Sequence, residues 1–153
     1  MPKIDRKLLM KKNEVIKDLK KIIKNENVLD HEDQIRPFET DGLSAYKQKP
    51  FVVVFPENTE EVSNILSYCN RKRIKVVPRG AGTGLSGGAL PLEDSVLLCL
   101  GKFNQIIEID YKNRCVVVQP GVTNLSITHA VQDEGFYYAP DPSSQIACSI
   151  GGN

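Results

Sequence analysis

The chain has 153 residues, 41% of them hydrophobic, and 20 Lys and Arg against 19 Asp and Glu leave a formal net charge of +1. That length supports one core, a single domain or part of one, and so small a net charge gives no general attraction to nucleic acid. There is neither an apolar run long enough to cross a bilayer nor a charged start leading into an apolar signal core, so no transmembrane segment and a cytoplasmic location are expected.

Residues 1–29 read as a helix, with Leu8, Val15, Leu19 and Ile22 on one face and Ile16 and Ile23 widening it. Residues 1–24 carry a net charge of +6 and leave −5 for the remainder. A basic amphipathic helix can lie on a membrane. Here aromatic anchors are absent, and a solvated lysine face on a helix packed against its own domain is the better reading. Asp5, Glu14 and Asp18, with no serine among them, speak against a mitochondrial presequence.

Residues 31–46 are polar and turn-rich but hold spaced apolar side chains, which predicts an ordered lead-in rather than a free linker. His31, Glu32 and Asp33 are adjacent, and on an extended segment they would point in different directions, so a solvated loop is expected there and not a metal site.

Phe51 to Phe55 is a continuous β-branched and aromatic run ended by Pro56, the pattern of a buried strand. A helix follows, capped by Asn58 or Thr59, with Glu60 and Glu61 in its first turn and Arg71, Lys72 and Arg73 at its end. Its apolar face is Val62, Ile65, Leu66 and Cys69, and Ile74 to Val77 forms the next strand. This β-α-β unit implies parallel strands with the helix on one face. It delivers the next stretch to the carboxyl edge of the sheet, where ligands of open α/β sheets collect.

That stretch is Pro78-Arg79-Gly80-Ala81-Gly82-Thr83-Gly84-Leu85-Ser86-Gly87-Gly88-Ala89, with five glycines in the nine positions from Gly80 to Gly88. Such a backbone can turn successive N–H groups toward one anion, phosphate above all. Thr83 and Ser86 add hydroxyl donors, and Arg79 at the mouth would add a fixed positive charge. Gly82 to Gly87 spells G-x-G-x-x-G, yet no helix opens after it, as a dinucleotide fingerprint requires. No Lys-Ser or Lys-Thr pair follows these glycines, so a Walker loop fails too.

Val96 to Leu100, Gln105 to Ile109 and Cys115 to Gln119 read as strands, the last two as a hairpin turning at Asp110 to Asn113. A helix capped by Thr123 or Asn124 then runs to about Asp133, with Leu125, Ile127, Ala130 and Val131 apolar and Gly135 as its stop. His129 within it reads as a boundary residue and not as a general base. Residues 137–153, dense in proline, serine and glycine, read as a second ligand loop in which Gly151-Gly152 permits close backbone approach. Cys69, Cys99, Cys115 and Cys148 form no C-x-x-C pair and are expected to be reduced thiols, with no metal or iron–sulfur cluster on this chain.

Residues 78–88, together with the segment from Pro140 to Asn153, resemble the FAD-binding domain of the vanillyl-alcohol oxidase and p-cresol methylhydroxylase superfamily. The resemblance is nearest to the branch of glycolate oxidase FAD subunits and D-lactate dehydrogenases. It runs from Ile35 to the last residue, and Arg36-Pro37-Phe38-Glu39-Thr40-Asp41 is similar to the run by which the family enters this domain. The implied fold is α+β, a small parallel β-α-β subdomain followed by a second, mostly antiparallel β subdomain that is incomplete. Residues 1–34 would be the basic helix and lead-in, and residues 35–153 the FAD-binding domain. The resemblance implies that Pro78, Arg79, Gly80, Ala81, Gly82, Thr83 and Gly84 wrap the pyrophosphate of FAD, with Leu85, Ser86 and Gly87 completing that loop. Pro140, Ser143, Ser144, Cys148, Ser149, Gly151 and Gly152 would line the other side of the cofactor. Relatives that attach FAD covalently in this loop use a histidine where Thr83 stands here, so a non-covalent FAD is expected.

The family continues past the motif that ends at Asn153, so the chain is expected to be truncated, with the substrate domain and the catalytic residues beyond it and no turnover alone. No His, Asp or Glu present forms an acid–base constellation. Two functions remain open. One is the FAD-binding portion of a 2-hydroxy acid oxidoreductase, which the resemblance pairs with a small 2-hydroxy acid substrate and an iron–sulfur or other electron-accepting partner subunit, and through that partner with the periphery of the inner membrane. The alternative is a non-catalytic nucleotide- or phosphate-binding module.

Overall fold

The structure, a computed structural model, describes residues 4–152. Positions 1–3 of the expected N-terminal helix, and Asn153, lie outside them. That helix is broken and shorter than the periodicity predicts. α1 (Arg6–Leu9) is capped by the Asp5 carboxylate, which accepts from the Lys7 and Leu8 amides, and α2 (Lys12–Ile22) ends before a 3-10 turn at Asn25–Asn27. The last two residues assigned to the helix are instead a short strand, β1 (Val28–Leu29), paired antiparallel with β2 (Val52–Val54). Sheet pairing here overrides local periodicity, because β2 would otherwise expose an unpaired edge. The expected extended stretch at His31 is also corrected. α3 (Glu32–Ile35) begins directly after His31, closed by a capping box with Gln34.

α4 (Thr59–Lys72) follows β2, and the Asn58 carboxamide accepts from the Glu61 amide at 2.9 Å. Glu60 and Glu61 face the positive first turn, while Arg73, in the left-handed region at φ 56°, stops the helix and sends the chain into β3 (Lys75–Arg79). β4 (Ser95–Cys99) then inserts between β2 and β3, parallel to both, giving the order β1-β2-β4-β3. β2 and β3 are therefore parallel, as the crossover predicts, but are not neighbours. Edge placement of β3 explains Pro78, whose missing N–H would cost a ladder bond in a central strand.

β2 and β4 are buried on both faces. Val52, Val54, Val96 and Leu98 pack against Val15, Ile16 and Leu19 of α2 and Ile65, Tyr68 and Cys69 of α4. On the opposite face Val53, Leu97 and Cys99 meet Ile35, with Phe38 and Phe55 packed beside them. The N-terminal helix and the lead-in thus cover opposite faces of one sheet, with Lys17 and Lys21 of α2 exposed and Lys12 lying over the Phe51 ring.

β5 (Ile106–Asp110) and β6 (Cys115–Val118) form the expected hairpin as a separate two-stranded sheet. The Asp110 carboxylate accepts from the Asn113 amide at 2.9 Å to close its turn. α5 (Asn124–Val131) is capped by the Thr123 hydroxyl and passes through a 3-10 turn to Gly135 at φ 76°. Among the described residues no helix is long and apolar enough to cross a membrane. The result is an α+β arrangement, a parallel unit covered by helices followed by an antiparallel hairpin.

Candidate functional site

β3 and β4 are parallel neighbours, so residues 80–94 must carry the chain from the carboxyl end of one back to the amino end of the other, and they do so without a helix. The glycine-rich half of this crossover stands at the carboxyl edge of the sheet. From Gly82 to Ser86 the described residues show no internal backbone hydrogen bond from an N–H group, leaving successive donors for a guest.

The second glycine segment arrives at the same place from the other end of the chain. The Ile150 amide donates to the Val122 carbonyl and the Gly151 amide to the Pro120 carbonyl, each at 2.8 Å, while Ser149 bridges Thr123. Ser149, buried, then accepts from the Ala81 amide through its Oγ at 3.2 Å. This bond joins positions 68 apart in sequence. Both contacts demand bare backbone. A Cβ on Gly80 would run into the Ser149 hydroxyl, and one on Gly151 would meet the Pro120 side chain at 2.6 Å and its carbonyl oxygen at 3.0 Å.

Between the two segments lies a cleft of about 350 Å³, lined by residues 78–86, Gly88, Ala89, Leu100, Pro120, Cys148, Ser149, Gly151 and Gly152. Pro78, Arg79, Gly80, Ala81, Gly82, Thr83, Gly84, Leu85 and Ser86 of the first motif are in its wall, as are Cys148, Ser149, Gly151 and Gly152 of the second. Gly87, Pro140, Ser143 and Ser144 are not. The Pro140 carbonyl accepts from the Asn124 carboxamide at 3.3 Å, and the Ser144 carbonyl accepts from the Ala147 and Cys148 amides at 2.8 Å. Residues 140–147 thus make a turn that delivers Cys148 and Ser149 without reaching the cleft themselves. Leu100 and Pro120 were missed as wall residues. Each closes a strand in the sequence, and nothing in that role marks a ligand contact.

Arg79 differs from its expected pose. Its side chain turns into the loop, Nη1 donating to the Thr40 carbonyl at 2.6 Å and to the Ala89 carbonyl at 3.4 Å, with the guanidinium 5.7 Å from the centre of the Phe38 ring. The lead-in supports the loop here in another way. A Cβ on Gly42 would strike the Thr83 and Gly84 carbonyls.

Among the described residues lining the cleft, Arg79 and Cys148 carry the only ionisable side chains. Cys99, at the end of β4, is pushed up to about 12 by burial against a small opposing effect of Arg79, so it stays a neutral thiol. His31 and His129 are both exposed and outside the wall. Among the described residues no group of three or more His, Cys, Asp and Glu is placed to hold a metal ion. Chemically the arrangement can bind and orient an anionic, partly apolar ligand, and its own residues offer no acid–base pair.

The sequence matches the family described as FAD binding domain over residues 50–153. It is 50% identical over 153 residues to glycolate oxidase subunit GlcD of Escherichia coli strain K12, covering 100% of this chain and 30% of that protein. It is 36% identical over 134 residues to the probable mitochondrial D-2-hydroxyglutarate dehydrogenase of Oryza sativa subsp. indica, covering 88% of this chain and 24% of that protein. Among solved structures, p-cresol methylhydroxylase with substrate bound is similar with a TM-score of 0.72 and 25% identity, covering 86% of this chain and 26% of that one. The chain therefore spans less than a third of the length of each of these relatives.

Proposed function

Because the chain belongs to the FAD binding domain family within the vanillyl-alcohol oxidase and p-cresol methylhydroxylase superfamily, we propose that it forms the FAD-binding portion of a flavin-dependent 2-hydroxy acid oxidoreductase of the glycolate oxidase or D-lactate dehydrogenase type. The observation that carries this reading is the Ala81 to Ser149 hydrogen bond, which joins two glycine-bearing segments across one cleft. The N–H groups from Gly82 to Ser86, with the Thr83 and Ser86 hydroxyls, would hold the diphosphate. Gly151 and Gly152 would admit the rest of the cofactor on the opposite wall. Thr83 has no ring nitrogen to bond the flavin, so the cofactor is held without a covalent link.

When bound, FAD supplies the acceptor for a hydride from the α-carbon of a small 2-hydroxy acid. The residues of this chain would bind and orient it. An electron-accepting partner subunit, iron–sulfur or other, belongs to the same proposal, as does a cytoplasmic location with contact to the inner membrane through that partner. Cys69, Cys99, Cys115 and Cys148 form no disulfide with one another, which suits a reducing compartment.

The test is titration of the 153-residue chain with FAD, followed by flavin fluorescence, against ADP and inorganic phosphate. Saturable uptake of FAD, tighter than of ADP and with the colour released on acid precipitation, is expected. Equal binding of ADP or phosphate would favour a non-catalytic nucleotide or phosphate module instead. Flavin retained by the acid precipitate would contradict the non-covalent link. The substrate class is tested by bleaching of the flavin with glycolate or D-lactate in the protein extended to its relatives' length, and failure of both would remove that part of the proposal.

A further inference from the structure

An arginine in a phosphate loop is ordinarily expected to meet the phosphate, and the surroundings of Arg79 leave it little freedom to do so. Its Nη1 is held by the Thr40 carbonyl at 2.6 Å and approaches the Ala89 carbonyl at 3.4 Å. Thr40 belongs to the lead-in and Ala89 to the far end of the glycine loop, so one nitrogen ties both to the last residue of β3. The guanidinium carbon lies over the Phe38 ring, 5.7 Å from its centre, and Phe38 itself makes an edge contact with Phe55 at 5.8 Å between ring centres. Gly82, at φ +75°, arches directly over the guanidinium, and a Cβ there would run into Nη2, Cζ and Nε. The group fills the inside of the arch.

We propose that Arg79 is a positioning residue, a spoke that fixes the arch of Gly80 to Ala89 against Phe38 and Thr40 so that the loop's amides already converge before the cofactor arrives. This rests on the reading that the loop cradles the FAD diphosphate, and it assigns the diphosphate to the amides and not to the guanidinium. A loop with so many glycines loses much conformational entropy on ordering, and a fixed core inside it removes that loss from the binding step. Lysine is not equivalent to the spoke, because a compact ammonium on a flexible stem cannot fill the space under Gly82 that the planar guanidinium occupies.

The experiment compares the full chain with R79K and with F38L, which leaves Arg79 and every glycine in place but removes its platform. Amide order parameters of residues 80–88 are measured without ligand, and FAD affinity by titration. The wild-type loop is expected to be as ordered as the adjoining strands, with R79K falling below about 0.6 in this segment alone. FAD affinity should fall about tenfold to a hundredfold in R79K, in keeping with loss of a charge-assisted hydrogen bond. F38L should show the same loosening in smaller measure, and it decides the matter if R79K fails to fold. An R79K loop as ordered as wild type, with affinity restored by the lysine, would make Arg79 a direct phosphate ligand and overturn the assignment. If the wild-type chain takes up no FAD the cofactor reading falls, while the order parameters of the ligand-free proteins still judge the spoke.

Discussion

Asp94 sits just before β4, and only 1% of it is exposed. Its Oδ2 accepts from the Lys75 ammonium and from the Asp5 amide, each at 2.7 Å, so a single carboxylate ties the start of β3, the turn into β4 and the cap of α1. Hydrogen bonds to a charged group are worth about 1.5–3 kcal/mol each. The Lys75 side chain is 35% exposed and regains water when released, which discounts its share. Replacing Asp94 by Ala should therefore cost about 3 kcal/mol, which for a chain of this size lowers Tm by about 6–12 °C. The pH dependence discriminates further. Burial alone would raise the carboxyl, but the Lys75 ammonium and the Asp5 amide hold it below its ordinary value of 3.8. A lowered folded-state value means that stability is complete above the unfolded value and is lost as pH falls through the folded one. In K75M the burial cost is no longer opposed by the ammonium, the folded value rises, and stability should improve as pH falls from 7 toward 4. Urea melts followed by circular dichroism across that range give both slopes. Parallel slopes for wild type and K75M, or a D94A loss under about 0.5 kcal/mol, would refute the reasoning.

The Gly80 and Ser149 contact predicts non-additivity. G80A displaces the Ser149 hydroxyl and S149A removes it, so each loses the bond to Ala81 and should weaken FAD binding about fivefold, with the double variant no worse than S149A because the new Cβ then lies 3.6 Å from the Cβ of residue 149. Multiplying losses in the titrations would count against the shared wall. G151A meets the rigid ring of Pro120 and then its backbone, not a mobile side-chain tip, so it should cost more than G80A, about 1–3 kcal/mol in urea melts. L19A should cost about 2–5 kcal/mol, since Leu19 is fully buried among the strands. A loss within experimental error would mean that α2 is a detachable arm. Glu57 is held down to about 2 by Lys102, then Lys24 and the Asn27 carboxamide, so its contribution is complete above its ordinary value of 4.5 and fades as pH falls toward 2. E57Q should flatten the acid limb of the stability profile in that window.

What the sequence disclosed and what it hid divide along a physical line. Strands buried on both faces, such as β2 and β4, declare themselves as continuous apolar runs, and the caps of α4 and α5 are single side chains beside the helices they start. Gly80, Gly82 and Gly151 were visible for a related reason, because a close approach at each excludes every side chain but hydrogen, and the position of that exclusion is written in the residue itself. Val28 and Leu29 illustrate the opposite case. Their spacing continues the helix of the preceding residues, and only the presence of β2 across from them makes a strand the better state. Arg79 is harder still, since a guanidinium beside a phosphate loop and one folded beneath it require the same residue at the same place. What separates the two is Phe38 and Thr40, roughly forty residues away, and no local pattern ties them to Arg79. Residue types that restrict backbone shape can thus be read where they stand, whereas the partner of a long charged side chain is decided by the assembled fold. The amides of the loop are consequently the sturdier part of the assignment of this cleft to FAD, and the charge beneath them serves to hold them in place.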